Sequence, residues 1–224
     1  MPPPDHSLVR LLSDWLPRQR WFGGKDLPID ELSLGTATEL RTGDPALHHL
    51  VLDVRQSGAT DHYQVLLGVR RELPERLLNA EIGRSDGEPG LTGRVYDAVH
   101  DQELTAILLD LMASESTVGP LRFRRAPGTG IRTGLDGLPT SAEQSNTSLI
   151  FDDAYICKLF RRLSPGVNPD LEVNLALSRQ GCEHIPAVHG WIELDPGTGD
   201  SGEPVTLAML SEFLRTGTDG WQLP

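Results

Sequence analysis

The residues best suited to chemistry lie in one stretch, 142–172, which reads AEQSNTSLIFDDAYICKLFRRLSPGVNPDLE. It opens with a loop of small polar residues, Glu143 to Ser148. Lys158 follows inside the apolar run Tyr155 to Phe160, and Glu172 comes early in a segment with clear helix-start signals. Gln144, Ser145, Asn146, Thr147 and Ser148 offer hydroxyl, carboxamide and backbone donors suited to phosphate oxygens. Lys158 needs a counter-charge, because an unpaired ammonium in an apolar strand is costly. A phosphate or the carboxylate of Glu172 would serve. Loop, strand lysine and helix acid, in that order, are the parts of a lobe that grips a nucleotide. A plainer arrangement accounts for the same residues: a polar hairpin, with Lys158 snorkelling from an edge strand into an exposed basic patch with Arg161 and Arg162.

The surrounding elements are those that would position such a site. Leu149–Phe151 and Tyr155–Phe160 flank Asp152–Asp153, the pattern of a hairpin with an acidic turn. Asn168 and Pro169 form an N-cap and first-turn proline for a helix that ends at Gly181. Ile185 to Leu194 and Val205 to Leu210 read as strands. Upstream, Leu8, Leu11, Leu12, Trp15 and Leu16 recur at helical spacing up to Pro17. Residues 31–70 look like strands, with HLVLDV at 49–54 and alternation around Tyr63, Val65, Leu67 and Val69. Residues 83–93 read as a Gly-rich loop, and Asp101 as the cap of a second amphipathic helix. In PRQRWFGGKD (17–26), Trp21 and Phe22 are expected to plug a core, with Gly23–Gly24 making a turn. A ligand patch on Arg20 and Lys25 is the sharper alternative. Arg122, Arg124, Arg125 and Arg132 read as a solvated basic strand, ahead of an anion site.

The bulk properties exclude several classes. The net charge is −12, with 32 acidic against 20 basic residues. That balance disfavours nucleic acid or an anionic membrane as the main partner. Cys157 and Cys182 are too few for a disulfide framework and are expected to be buried thiols. The seven histidines show no zinc spacing. No signal peptide or membrane-length apolar run is visible, so the cytoplasm is the expected location.

PRQRWFGGK, VYDAVHD and EQSNTSLIF followed by KLFRRLSPGVNPDLEV together resemble the actinobacterial maltokinases and their cap-containing relatives, over essentially the whole chain. The resemblance implies an α+β chain in two parts. Residues 1–117 would be an N-terminal cap subdomain of antiparallel strands with flanking helices. Residues 118–224 would be a kinase-like N-lobe, an antiparallel sheet plus one helix, ending just after the hinge, with the C-lobe absent. It also implies ATP and Mg2+. Gln144, Ser145, Asn146, Thr147 and Ser148 would cover the phosphates, Lys158 would hold the α/β-phosphates and Glu172 would orient it. The backbone of Glu212, Phe213 and Leu214 would meet the adenine. The family reaction is phosphorylation of maltose at its anomeric hydroxyl, feeding α-glucan synthesis. The alternatives are a kinase for another sugar such as glucosamine, or a noncatalytic cap-type module docking on trehalose synthase or another glucan enzyme. No HGD-type catalytic motif and no second magnesium-binding motif occur in the sequence. No catalytic residue or metal ligand is therefore assigned, and the chain is expected to be inactive alone. Ala142 stands where the family often has Gly.

Overall fold

The computed structural model describes residues 6–86, 90–140, 145–182, 184–195 and 203–214. Helix α1 (His6–Trp15) is amphipathic, as its leucine spacing dictates. Leu8, Leu12, Trp15 and Leu16 are buried on one stripe. Trp21 and Phe22 are buried beside them, Trp21 edge-on to Trp15 with ring centroids 5.7 Å apart. Trp21 and Phe22 form the expected core plug, while Arg20 and Lys25 stay exposed.

Five strands follow: β1 (Glu31–Arg41), β2 (Ala46–Gln56), β3 (Ala59–Arg70), β4 (Glu81–Ser85) and β5 (Gly93–Asp97). They pair antiparallel in the order β1-β2-β3-β5-β4. β4 occupies the start of the expected Gly-rich loop. Both faces of β2 and β3 are covered. Leu50, Leu52, Tyr63, Val65 and Leu67 share a core with α1, Trp21 and Phe22. Leu47, Val51 and Leu66 on the opposite face join the core of the second unit. Gly68 lies under the ring of Tyr96, its partner across the sheet. A Cβ there would sit 2.3 Å from Tyr96 Cζ. Gly68→Ala is expected to cost about 1–3 kcal/mol of stability through overpacking, read as a lower urea midpoint.

Helix α2 (Gln102–Ala113) leads into the second unit. Asp101 stands at its N-cap position but does not cap it. Its carboxylate is fully buried and accepts from Arg70 (2.8 Å), Tyr96 (2.7 Å) and Arg76 (3.3 Å). Two guanidinium groups and a phenol compete for it more strongly than the helix amides do. The remaining elements are β6 (Thr117–Val118), β7 (Leu121–Arg125), β8 (Gly137–Pro139), β9 (Asn146–Phe151), β10 (Tyr155–Phe160), β11 (Arg162–Leu163), α3 (Pro169–Arg179), β12 (Val188–Leu194) and β13 (Val205–Glu212). All but β11 and α3 form one antiparallel sheet, ordered β6-β7-β12-β13-β10-β9-β8. β11 leaves it and pairs with β3 of the first sheet. Leu104, Leu108, Leu109 and Met112 of α2 pack in one core with Leu121, Phe123, Leu149 and Phe151, so α2 is embedded in the second unit. On the sheet's other face α3 packs through Leu171 and Leu175 against Phe160, Val188 and Met209.

The four arginines of β7 and its following loop pair with acids: Arg122 with Asp195, Arg124 with Glu193 (2.8 Å), Arg125 with Glu115 (3.0 Å) and Arg132 with Asp153 (3.7 Å). Cys157 is buried, and desolvation pushes its thiol up to about 12. Cys182 is only half-buried.

Candidate nucleotide site

Strand alternation decides which side chains of the central hairpin share a face. In the β9–β10–β13 ladder, Ser148, Lys158 and Met209 stand side by side, and Asn146 stands opposite Phe160. These residues face the side on which α3 lies. The other set, Thr147, Leu149, Phe151, Tyr155, Cys157 and Leu159, is buried. Ser145 is exposed at the end of β9. Gln144 lies outside the described residues. The expected phosphate-covering loop is thus shorter than its sequence suggests, since Asn146, Thr147 and Ser148 belong to strand β9.

Thr147 does not join that face. Its Oγ1 accepts from Arg161 Nε at 2.7 Å in the interior. Arg161 itself overturns the expected exposed basic patch. It is 1% exposed, donates through Nη2 to Asp97 at 2.9 Å, and places its guanidinium 4.7 Å from the ring centroid of Trp21. The signal was present in the strand: Arg161 continues the Tyr155, Cys157, Leu159 alternation onto the buried face. Arg162 points outward and pairs with Asp61 at 2.6 Å.

Lys158 is about one-third exposed, its Nζ 5.6 Å from the Phe160 ring centroid and bonded to Asp170 Oδ2. The expected partner was Glu172. Its carboxylate is exposed and has no side-chain partner among the described residues. The reason is rotational. Residues two apart on an α-helix diverge by about 200°. Leu171 between them is 2% exposed in the α3 core, so the two acids lie on opposite flanks. The helix start is held as its sequence requires. Asn168 Oδ1 accepts from the Asp170 amide at 2.9 Å, and the Asn168 amide donates to Thr206 Oγ1 on β13 at 2.9 Å.

Beside this pair opens a cavity of about 670 Å³, lined by Asn146, Phe160 and Asp170 of the second unit and by Asp61, His62 and Arg162 around the β3–β11 seam. At the far end of β13, the Glu212 amide donates to Ala187 O (2.8 Å) and the Phe213 amide to Ala154 O (2.9 Å). Leu214 is about half exposed. Of the expected adenine-facing segment, two amides are therefore engaged internally, and only Leu214 keeps an amide without a partner among the described residues. No group of three or more His, Cys, Asp or Glu residues able to hold a metal gathers among the described residues.

The order β8-β9-β10-β13-β12, with a mid-strand lysine on β10 tied to an acid of the helix that follows, is a kinase-like N-lobe with a second, cap-like sheet joined to it. Residues 15–101 match the family model of the maltokinase N-terminal cap domain. Two solved structures of a glucosamine kinase share the fold. One crystal form is 20% identical, with a TM-score of 0.52 over 99% of this chain and 44% of that one. The other is 21% identical, with a TM-score of 0.50 over 94% of this chain and 41% of that one. The chain therefore spans less than half the length of the kinases it matches.

Proposed function

We propose that the chain forms the cap and nucleotide-binding lobe of an ATP-dependent sugar kinase, with maltose as acceptor and maltose 1-phosphate as product. The observation that carries this reading is Lys158, mid-strand in a kinase-ordered sheet and tied to the start of α3, in a chain whose residues 15–101 match the maltokinase cap family model. The residues fit a triphosphate. Lys158 supplies a cation to the α/β-phosphates, Asn146 and Ser148 supply small polar donors on its side of the sheet, and Ser145 adds one at the wall of the adjoining cavity. The Leu214 amide is the donor left for an adenine ring. ATP supplies the phosphoryl group; this chain binds and orients it. Magnesium would come as the partner of the triphosphate and would neutralise its charge. The cytoplasm is the corresponding location.

Calorimetry with Mg-ATP tests the reading. The 224-residue chain is expected to bind, and Lys158→Ala to weaken binding by about tenfold or more, the scale of a hydrogen bond to a charged group. Equal affinity in both proteins would overturn the nucleotide site. Offering maltose and glucosamine to the intact kinase tests the substrate, since phosphorylation of glucosamine alone would reassign it.

A further inference from the structure

We infer that Asp170 is the carboxylate that positions Lys158 for a phosphate-bearing ligand, and that Glu172 has no part in it. The inference rests on the nucleotide reading above and deepens it. Four observations lock the arrangement. Lys158 Nζ bonds directly to Asp170 Oδ2. Leu171 is 2% exposed between Phe160, Val188 and Met209, which fixes the rotation of α3 about its axis. Asn168 caps the Asp170 amide while its own amide is tied to Thr206. Asn174 Nδ2 donates to the Asp170 carbonyl at 2.7 Å.

Bringing Glu172 to Lys158 would turn the helix by about 200°. That would draw Leu171 out of its core and break the Asn168 cap. Asp170 also lines the cavity of about 670 Å³ while Lys158 does not, so the carboxylate stands between the cavity and the lysine bonded to it. An acid in the first turn of a helix is favourable for its own sake, because it answers the free amides and the macrodipole. A role confined to the helix would leave both the lysine's state and ligand affinity unchanged.

The experiment compares Asp170→Asn, Asp170→Glu and Glu172→Gln in the full chain. The Lys158 ammonium 1H–15N signal is recorded without ligand, and Mg-ATP affinity is measured by calorimetry. Asp170→Asn is expected to lose the ammonium signal to fast exchange and to weaken Mg-ATP about three- to fivefold, the scale of a partly exposed ion pair. Asp170→Glu is expected to restore part of both, and Glu172→Gln to leave both as in the parent. Loss of signal and affinity in Glu172→Gln with neither lost in Asp170→Asn overturns the inference. If Lys158→Ala binds Mg-ATP as the parent does, the nucleotide reading fails, while the ammonium signal still decides which acid holds the lysine.

Discussion

Arg161→Met is expected to destabilise the fold by about 3–5 kcal/mol, the cost of breaking a buried ion pair from one side. The guanidinium is 1% exposed and the Asp97 side chain 6%. Its three partners come from different parts of the chain: Asp97 at the end of β5, Thr147 on β9 and the face of Trp21 beyond α1. Methionine fills much of the space but leaves Asp97 a buried carboxylate without its cation. Lysine is no substitute, because a single ammonium cannot serve Asp97, Thr147 and the indole face together. The neighbouring Arg162→Met removes an ion pair in which the arginine is 57% exposed, and is expected to cost less than about 1 kcal/mol. Urea unfolding with m-values checks both. Adding Asp97→Asn to Arg161→Met is expected to recover part of the loss, since it removes the uncompensated charge. Equal small losses at positions 161 and 162 would sink the account. An effect of 3–5 kcal/mol is a large share of the roughly 5–15 kcal/mol that holds a domain together.

Stability is also expected to fall as pH drops from about 6.5 to about 4, through His49. Its ring is 3% exposed, and desolvation holds its pKa at about 4, against an ordinary 6.5. The hydrogen-bond pattern fixes its tautomer. Gln64 donates both amide protons, to Phe160 O (2.8 Å) and Leu207 O (2.6 Å), so its Oε1 must accept from His49 Nε2 at 3.0 Å. Nδ1 is then the unprotonated nitrogen, buried without a partner. The unfolded chain takes up a proton below pH 6.5, and the folded chain refuses it until about pH 4. Stability is therefore fully present above 6.5 and is lost on the way down, by about 3 kcal/mol in all. His48, also depressed by burial, acts in the same direction. The check is the difference between the parent and His49→Gln in urea midpoints at several pH values. That difference should change steeply between pH 6.5 and 4 and be flat above. A parallel pH course for the two proteins would refute the assignment.

The residues that mattered most for this site were only partly readable from the chain. Lys158, the Asp152–Asp153 turn and the Asn168–Pro169 helix start stand out because each is a local signal. Arg161 was hidden by its company: KLFRR reads as an exposed basic run, although alternation from Tyr155 carries Arg161 inward. Thr147 reads as loop for its polarity, although it begins the buried Thr147, Leu149, Phe151 series. Asp170 and Glu172 are equivalent as first-turn acids. Only the packing of Leu171 shows which flank of α3 each occupies.

Turns, caps and periodicities are interactions between residues a few positions apart, so α1, α2, α3 and the longer strands are legible within each segment, whereas β4 and the short strands β6, β8 and β11 form only by pairing with their partners. Which face of each element is covered was not. Both faces of β2 and β3 are buried because α1 lies on one and the second unit on the other. Gln64 ties carbonyls 96 and 143 residues away, and Arg161 finds Asp97 at a separation of 64. A charge can be buried only where its counter-charge and hydrogen-bond partners arrive together, and that meeting exists only once the two sheets are packed.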